Sequence, residues 1–159
     1  MSSICFQELF MQSKGQPISY KNKEIKMVDK INISSQKVKL KINFISTNSN
    51  YKQGIAVDTK GYIEIDEQIF KNRKMIFWED TAPKVIELIV KSKDNVLIIH
   101  NIWEQTDHLG NKSTFYCYNG AALYLEKVSE TTTIYHCNDG EPDDDFDDLI
   151  FKVEIEPVL

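Results

Sequence analysis

The sequence predicts a mainly β protein, or an α+β protein, built as an antiparallel meander sheet or sandwich with a short N-terminal helix. Three observations predict this class. Apolar and polar residues alternate with period two in several segments, these segments are rich in β-branched and aromatic residues, and turn-forming residues recur about every ten positions. This spacing favours antiparallel strands joined by short turns over parallel strands separated by helices.

The N-terminal segment predicts the helix. Leu9 and Phe10 lie on one helical face with the apolar residues before them, and Gly15 and Pro17 supply a stop signal, so we expect a helix over residues 3–13. It would cover one edge of the sheet.

The next segment has the clearest strand pattern in the chain. Val38, Leu40, Ile42 and Phe44 alternate with lysine and asparagine, which predicts a strand with one buried face from Lys37 onward. The polar, turn-rich residues 46–54 that follow predict a loop.

The remaining strands are short apolar or alternating segments between turn signals. We expect strands at residues 61–66, 74–78, 85–91, 96–105, 113–118, 121–128, 131–137 and 149–156. We expect turns or loops at residues 71–73, Asn95, 106–112, 119–120 and 129–130. Strand 96–105 is the most apolar, so it belongs in the centre of the sheet.

At 159 residues the chain is expected to form a single domain over residues 1–159, since neither a linker nor an internal repeat is visible. Three cysteines are too few and too scattered for a disulfide framework, although a bridge between Cys117 and Cys137 is left open. The N-terminus lacks the features of a signal peptide, which favours the cytoplasm.

One segment concentrates the negative charge. Residues 138–148, which we name the acidic loop, contain seven carboxylates and neither lysine nor arginine. The whole chain has 24 acidic and 19 basic residues, so without this loop it would be slightly basic. We expect Pro142 to open one helical turn here, with Phe146, Leu149 and Ile150 facing inward and the aspartates in solvent.

The charge also excludes some partners. A net charge of −5 and a pI near 5.2 argue against a general nucleic-acid or anionic-membrane binder, which normally carries a basic face. The field of the acidic loop would attract a cation or a basic protein surface instead.

Metal and cofactor motifs are missing from the sequence. Aligning Gly140 with the invariant glycine of an EF-hand places Phe146 where the bidentate glutamate should be, so that template fails. An irregular carboxylate site for a hard cation remains open. Adjacent His136 and Cys137 would point to opposite faces of a strand, which disfavours zinc. We predict no metal site and no cofactor.

The leading hypothesis is a non-catalytic binding protein that uses the acidic loop to dock on a basic protein partner. Its most concrete form is an immunity or antitoxin-like inhibitor of a toxin, in which charge speeds encounter and aromatic residues slow release. The candidate partner-binding residues are Asp139, Glu141, Asp143, Asp144, Asp145, Asp147, Asp148 and Trp103.

Two alternatives compete with this hypothesis. His100 and His136 could line the pocket of a small-ligand-binding or hydrolytic β domain, although their spacing does not show that they converge. No nucleophile elbow, P-loop or other catalytic motif supports an enzyme. The third possibility is a structural subunit that pairs through an exposed strand, with the acidic loop as a gatekeeper against aggregation.

Overall fold

The computed structural model describes residues 5–33, 37–72, 74–141 and 143–158. Strands contain 62% of the described residues and helix contains 7%, which confirms the predicted fold class. The elements are α1 (Phe6–Ser13), β1 (Ile18–Tyr20), β2 (Lys23–Ile25), β3 (Asp29–Asn32), β4 (Lys37–Thr47), β5 (Lys52–Ile65), β6 (Gln68–Lys71), β7 (Met75–Trp78), β8 (Val85–Thr106), β9 (Lys112–Tyr116), β10 (Ala122–Lys127), β11 (Thr132–Asn138) and β12 (Leu149–Pro157). Within the described residues, no helix is long and apolar enough to span a membrane.

One ten-stranded antiparallel sheet contains all the strands except β1 and β2, which form a separate hairpin. The strand order is β10-β11-β12-β4-β8-β5-β6, while β3 and β9 pair with β8 and β7 pairs with β5. The predicted meander is present at β10–β12. The sheet then continues through β4, so the last strand of the chain pairs with one of the first long strands.

The central strand, β8, is longer than predicted. Asn95 does have a positive φ of 60°, but it lies within β8 and does not end it, so the two predicted strands at residues 85–91 and 96–105 are one bent strand. Its first half pairs with β4 and its second half with β3 and β9, while β5 follows it along the other edge. Because three different strands pair along one of its edges, β8 is long.

Strand β5 is also longer than predicted, because the expected loop at residues 46–54 is confined to a turn at residues 48–51. A register shift near Gly61 bends β5. Gly61 has φ +149°, and a Cβ there would lie 1.9 Å from the carbonyl oxygen of Lys91. Only glycine therefore fits this bend.

The main core lies on one face of the curved sheet. The alternating residues Val38, Leu40, Ile42 and Phe44 of β4 are all buried in it, as the sequence predicted. Strands β5, β8, β11 and β12 contribute their own alternating apolar residues to the same cluster.

A second, smaller core joins the N-terminal elements to the sheet. Phe6 and Phe10 of α1 pack with Ile25 of β2, Ala122 of β10 and Phe146 of the acidic loop. The β1–β2 hairpin was not predicted. Its two turn residues, Lys21 and Asn22, both have positive φ, and neither is glycine, so the usual hairpin signal is missing.

Candidate functional site

The acidic loop connects two neighbouring strands, β11 and β12. Cys137 and Leu149, which flank it, are paired across these strands. The loop therefore leaves the sheet and returns at nearly the same point. No helix forms in residues 143–148, and Pro142, where we predicted a helical turn, lies outside the described residues. The loop owes its shape to side-chain hydrogen bonds instead.

Asn138 fixes the loop from within. Its Oδ1 accepts a hydrogen bond from the backbone N–H of Phe146 at 2.5 Å, and its Nδ2 donates to the carbonyl of Asp143 at 2.8 Å. Its own carbonyl accepts from Nδ2 of Asn101 in β8 at 2.9 Å. One fully buried amide thus ties both arms of the loop together and attaches the loop to the central strand.

Asp139 is the second internal anchor, with only 1% of its surface exposed. Its carboxylate accepts hydrogen bonds from Oγ of Ser49 at 2.5 Å, from Nε2 of Gln53 at 3.3 Å and from the N–H of Glu141 at 3.1 Å. Its own N–H donates to Oδ2 of Asp148 at 2.9 Å. The β4–β5 turn and the acidic loop are therefore joined through a buried carboxylate.

Asp148 is 6% exposed and lies beside Asp139. Burial, followed by the like charges of Asp139 and Asp143, raises the pKa of Asp148 to about 7. Burial also raises the pKa of Asp143. Asp148 and Asp143 are therefore more difficult to ionise than free carboxyl groups.

Phe146 completes the inner part of the loop. Its ring makes edge contacts with Phe6 and Tyr124, with centroid distances of 5.5 and 5.2 Å. It is 4% exposed, which confirms that Phe146 faces inward. We call Asn138, Asp139, Phe146 and Asp148 the inner layer.

The remaining acids form the outer layer, which consists of Glu141, Asp143, Asp144, Asp145 and Asp147. Glu141 and Asp145 are exposed, and the other three are partly exposed. The expectation that the aspartates all stay in solvent is thus wrong for Asp139 and Asp148, because the loop folds back onto the β4–β5 turn. These two side chains are almost completely buried.

Three outer acids have polar partners on neighbouring elements. The hydroxyl of Tyr51 donates to Glu141, which raises the pKa of Tyr51 to about 12. Nδ2 of Asn48 donates to Asp147 at 2.9 Å. Asp144 accepts from the hydroxyl of Tyr20 at 2.8 Å and from Nζ of Lys21 at 2.6 Å, and these bonds lower its pKa, Lys21 most strongly. No sequence pattern indicates these contacts between distant loops.

An open polar pocket of about 490 Å³ lies between the acidic loop and the β4–β5 turn. Carboxylates from both layers line it, together with polar residues of the turn. The lining residues are Asn48, Ser49, Asn50, Tyr51, Asp139, Glu141, Asp143, Asp145 and Asp148. Among the residues that the structure describes, no group of three or more histidine, cysteine, aspartate or glutamate side chains is arranged to hold a metal ion.

Trp103 lies beneath the loop and is completely buried. A Cβ added to Gly140 would come within 2.9 Å of its indole ring, and the Phe115 ring stacks on it at 6.3 Å. Trp103 therefore supports the loop from inside. It has no surface for partner contact, so its predicted binding role does not fit its position in the centre of the sheet.

The two candidate histidines do not share a pocket. His100 follows the core residue Ile99 in β8, and His136 lies between two core residues of β11, so strand alternation points both rings away from the main core. His100 contacts the Tyr116 ring at 5.9 Å, and burial lowers its pKa. His136 stacks on Tyr124 at 4.6 Å. The strands that carry them are not neighbours.

The cysteines Cys5, Cys117 and Cys137 are all free thiols. Cys137 is buried in the main core, and burial raises its pKa well above the ordinary value. Burial also raises the pKa of Cys117. Neither has the lowered pKa of a reactive thiolate.

Comparisons of the chain with protein-family models, with curated proteins and with solved structures found no match. The function of the chain is therefore inferred from the geometry and charge of the acidic loop.

Proposed function

We propose that the protein is a non-catalytic binding protein whose acidic loop docks on a basic protein partner. The observation that carries this proposal is the division of the loop into two layers. The buried inner layer holds the backbone in one shape, while the outer layer presents carboxylates around an open pocket. A charged surface that is already ordered loses less conformational entropy when it binds.

The outer layer keeps most of its negative charge unneutralised. Among the described residues, the salt bridges place one lysine, Lys21, against the loop, and it pairs with Asp144. Glu141, Asp143 and Asp145 lie around the pocket and form no salt bridge with a lysine or arginine in the described part of the chain. Carboxylates clustered in this way attract a cationic surface and speed its encounter.

The most specific form of the proposal is an immunity or antitoxin-like inhibitor of a basic toxin in the cytoplasm. A toxin that acts on nucleic acid carries a cationic active site, and an ordered acidic loop matches that charge. In this form the residues that meet the toxin are those of the outer layer, while Asp139, Asp148 and Trp103 position them.

The test uses a matched pair of triple variants. One variant removes three outer carboxylates by Glu141→Gln, Asp143→Asn and Asp145→Asn. The control removes the same charge at exposed sites outside the loop, by Glu8→Gln, Glu67→Gln and Glu130→Gln. Each protein is used to capture partners from its own cells at low and high salt, and the association rate with the purified partner is then measured.

We expect a basic partner that is captured at low salt by the wild type and by the control. The loop variant should lose about tenfold or more in association rate, and the rate should depend less on salt. Equal association rates for the loop variant and the control would contradict the proposal. Capture of no basic partner by the wild type at low salt would contradict it as well.

A further inference from the structure

We propose that Asp139 and Asp148 form a buried carboxyl pair that shares one proton, and that loss of this proton loosens the acidic loop. The proposal goes beyond partner binding. It concerns the isolated chain and holds whether or not the loop docks on another protein.

Both carboxyl groups are buried, since the Asp139 and Asp148 side chains are 1% and 6% exposed. The N–H of Asp139 also donates to Oδ2 of Asp148 at 2.9 Å, so the pair is fixed by the backbone. Ionising both of these neighbouring buried carboxyl groups requires more free energy than ionising two carboxyl groups in water.

The pair lies among groups from the loop, the turn and the neighbouring strands. The charged groups that act on Asp148 within the described structure are Asp139, which follows β11, and Asp143, within the loop. The turn and β5 contribute the neutral Ser49 and Gln53 to Asp139. Glu141, whose N–H donates to Asp139, adds a further carboxylate, while the thiol of Cys137 and the phenol of Tyr51 both have raised pKa values.

The pair is therefore surrounded by negative or neutral groups. Lys21 lies on the outer layer and pairs with Asp144, 2.6 Å away. A shared proton is then the simplest way to remove the repulsion. The raised pKa of Asp148, about 7, agrees with this arrangement.

The two members of the pair differ in their hydrogen bonds. Asp139 accepts three, from Ser49, Gln53 and the Glu141 N–H. Asp148 accepts a bond at Oδ2 from the Asp139 N–H. Asp148, whose pKa is raised by burial, therefore holds the shared proton.

The consequence for stability follows from proton linkage. Because the pKa of Asp148 is raised in the folded chain, the folded chain binds more protons than the unfolded chain between about pH 4 and 7. The stability that the neutral form of Asp148 contributes is fully present below the pKa of an aspartate in the unfolded chain. It is lost as pH rises through about 7. His100 works in the opposite direction, since its lowered pKa removes stability as pH falls.

The experiment compares the wild type, Asp148→Asn and the control Asp145→Asn. Asp145 is an exposed residue of the same loop, so both variants replace one carboxyl group of the loop by an amide. Unfolding in urea is measured from pH 5 to pH 8 in the presence of EDTA. In parallel, the side-chain carbonyl signals of ¹³C-labelled aspartates in the wild type are titrated by NMR.

We expect the unfolding constant of the wild type to rise about tenfold or more from pH 5 to 8 relative to that of Asp148→Asn. Asp145→Asn should follow the wild type, and the effect of His100 cancels because all three proteins contain it. One aspartate should titrate above pH 6, and the amide signals of Asp139 and Phe146 should shift with the same midpoint.

Titration of all aspartates below pH 5 would overturn the proposal. Parallel pH profiles for the wild type and Asp148→Asn would also overturn it. If Asp148→Asn does not fold, the NMR titration of the wild type still decides the question.

Discussion

Asp139 and Asp145 belong to one acidic segment, yet their surroundings are opposite. Asp139 is buried, accepts three hydrogen bonds and ties the loop to the β4–β5 turn. Asp145 is exposed at the pocket. The inner layer, which contains Asp139, is buried, whereas the outer layer, which contains Asp145, is exposed or partly exposed. Carboxylates that are adjacent in sequence can therefore either build a loop or supply its surface charge, and burial decides which.

The inner layer should be the part on which folding depends. The largest effect is expected for Phe146→Ala, which empties the contact with Phe6 and Tyr124 in the smaller core. We expect the free energy of unfolding to fall by about 3–5 kcal/mol. Urea denaturation measures this change.

The control for this variant is Leu109→Ala, which shortens an apolar side chain that is 74% exposed. It should change stability by no more than about 0.5 kcal/mol. Similar losses for the two variants would mean that Phe146 does not anchor the loop.

Asn138→Ala should have the next largest effect. The substitution leaves the N–H of Phe146 and the carbonyl of Asp143 without their partners. We expect a loss of about 2–4 kcal/mol, because each buried polar group left unpaired costs about 1–3 kcal/mol. Asn50→Ala, at an exposed asparagine of the neighbouring turn, is the control and should be nearly neutral. A loss below about 1 kcal/mol for Asn138→Ala would mean that Asn138 does not hold the two arms of the loop together.

The sharpest comparison uses one chemical change at two positions. Asp139→Asn replaces one acceptor oxygen by an NH₂ group, which faces the three groups that donate to Asp139. We expect the free energy of unfolding to fall by about 1–3 kcal/mol at pH 7. Asp145→Asn should change stability by less than about 0.5 kcal/mol. Equal effects in urea denaturation would remove the distinction between the layers.

The sequence predicted the parts of the fold that depend on local pattern. Alternation identified the buried face of β4, because periodicity reports which side of an element is apolar. Phe146 was also correctly placed inward, although no helix forms in residues 143–148. The β1–β2 hairpin was missed, since Lys21 and Asn22 adopt positive φ without a glycine signal. The long strand β8 was divided at Asn95, because turn residues also occur at bends within a strand.

The candidate site was predicted as a segment but not as a structure. The run of acids indicated where charge is concentrated, whereas the burial of Asp139 and Asp148 depends on Ser49 and Gln53, which are distant in the chain. Composition cannot reveal such contacts between loops. Trp103 was predicted to be a partner-binding residue because aromatic side chains slow release, but it is buried and Gly140 packs over it.

The most direct test of the two-layer account is amide hydrogen exchange in the acidic loop, followed residue by residue by NMR. The N–H groups of Asp139 and Phe146 donate to buried acceptors, so we expect strong protection at both. The N–H of Asp145 has only a long contact of 3.5 Å with Asp143 in an exposed position, so it should exchange rapidly. Exchange of all three amides at the rate of an unstructured peptide would contradict the account.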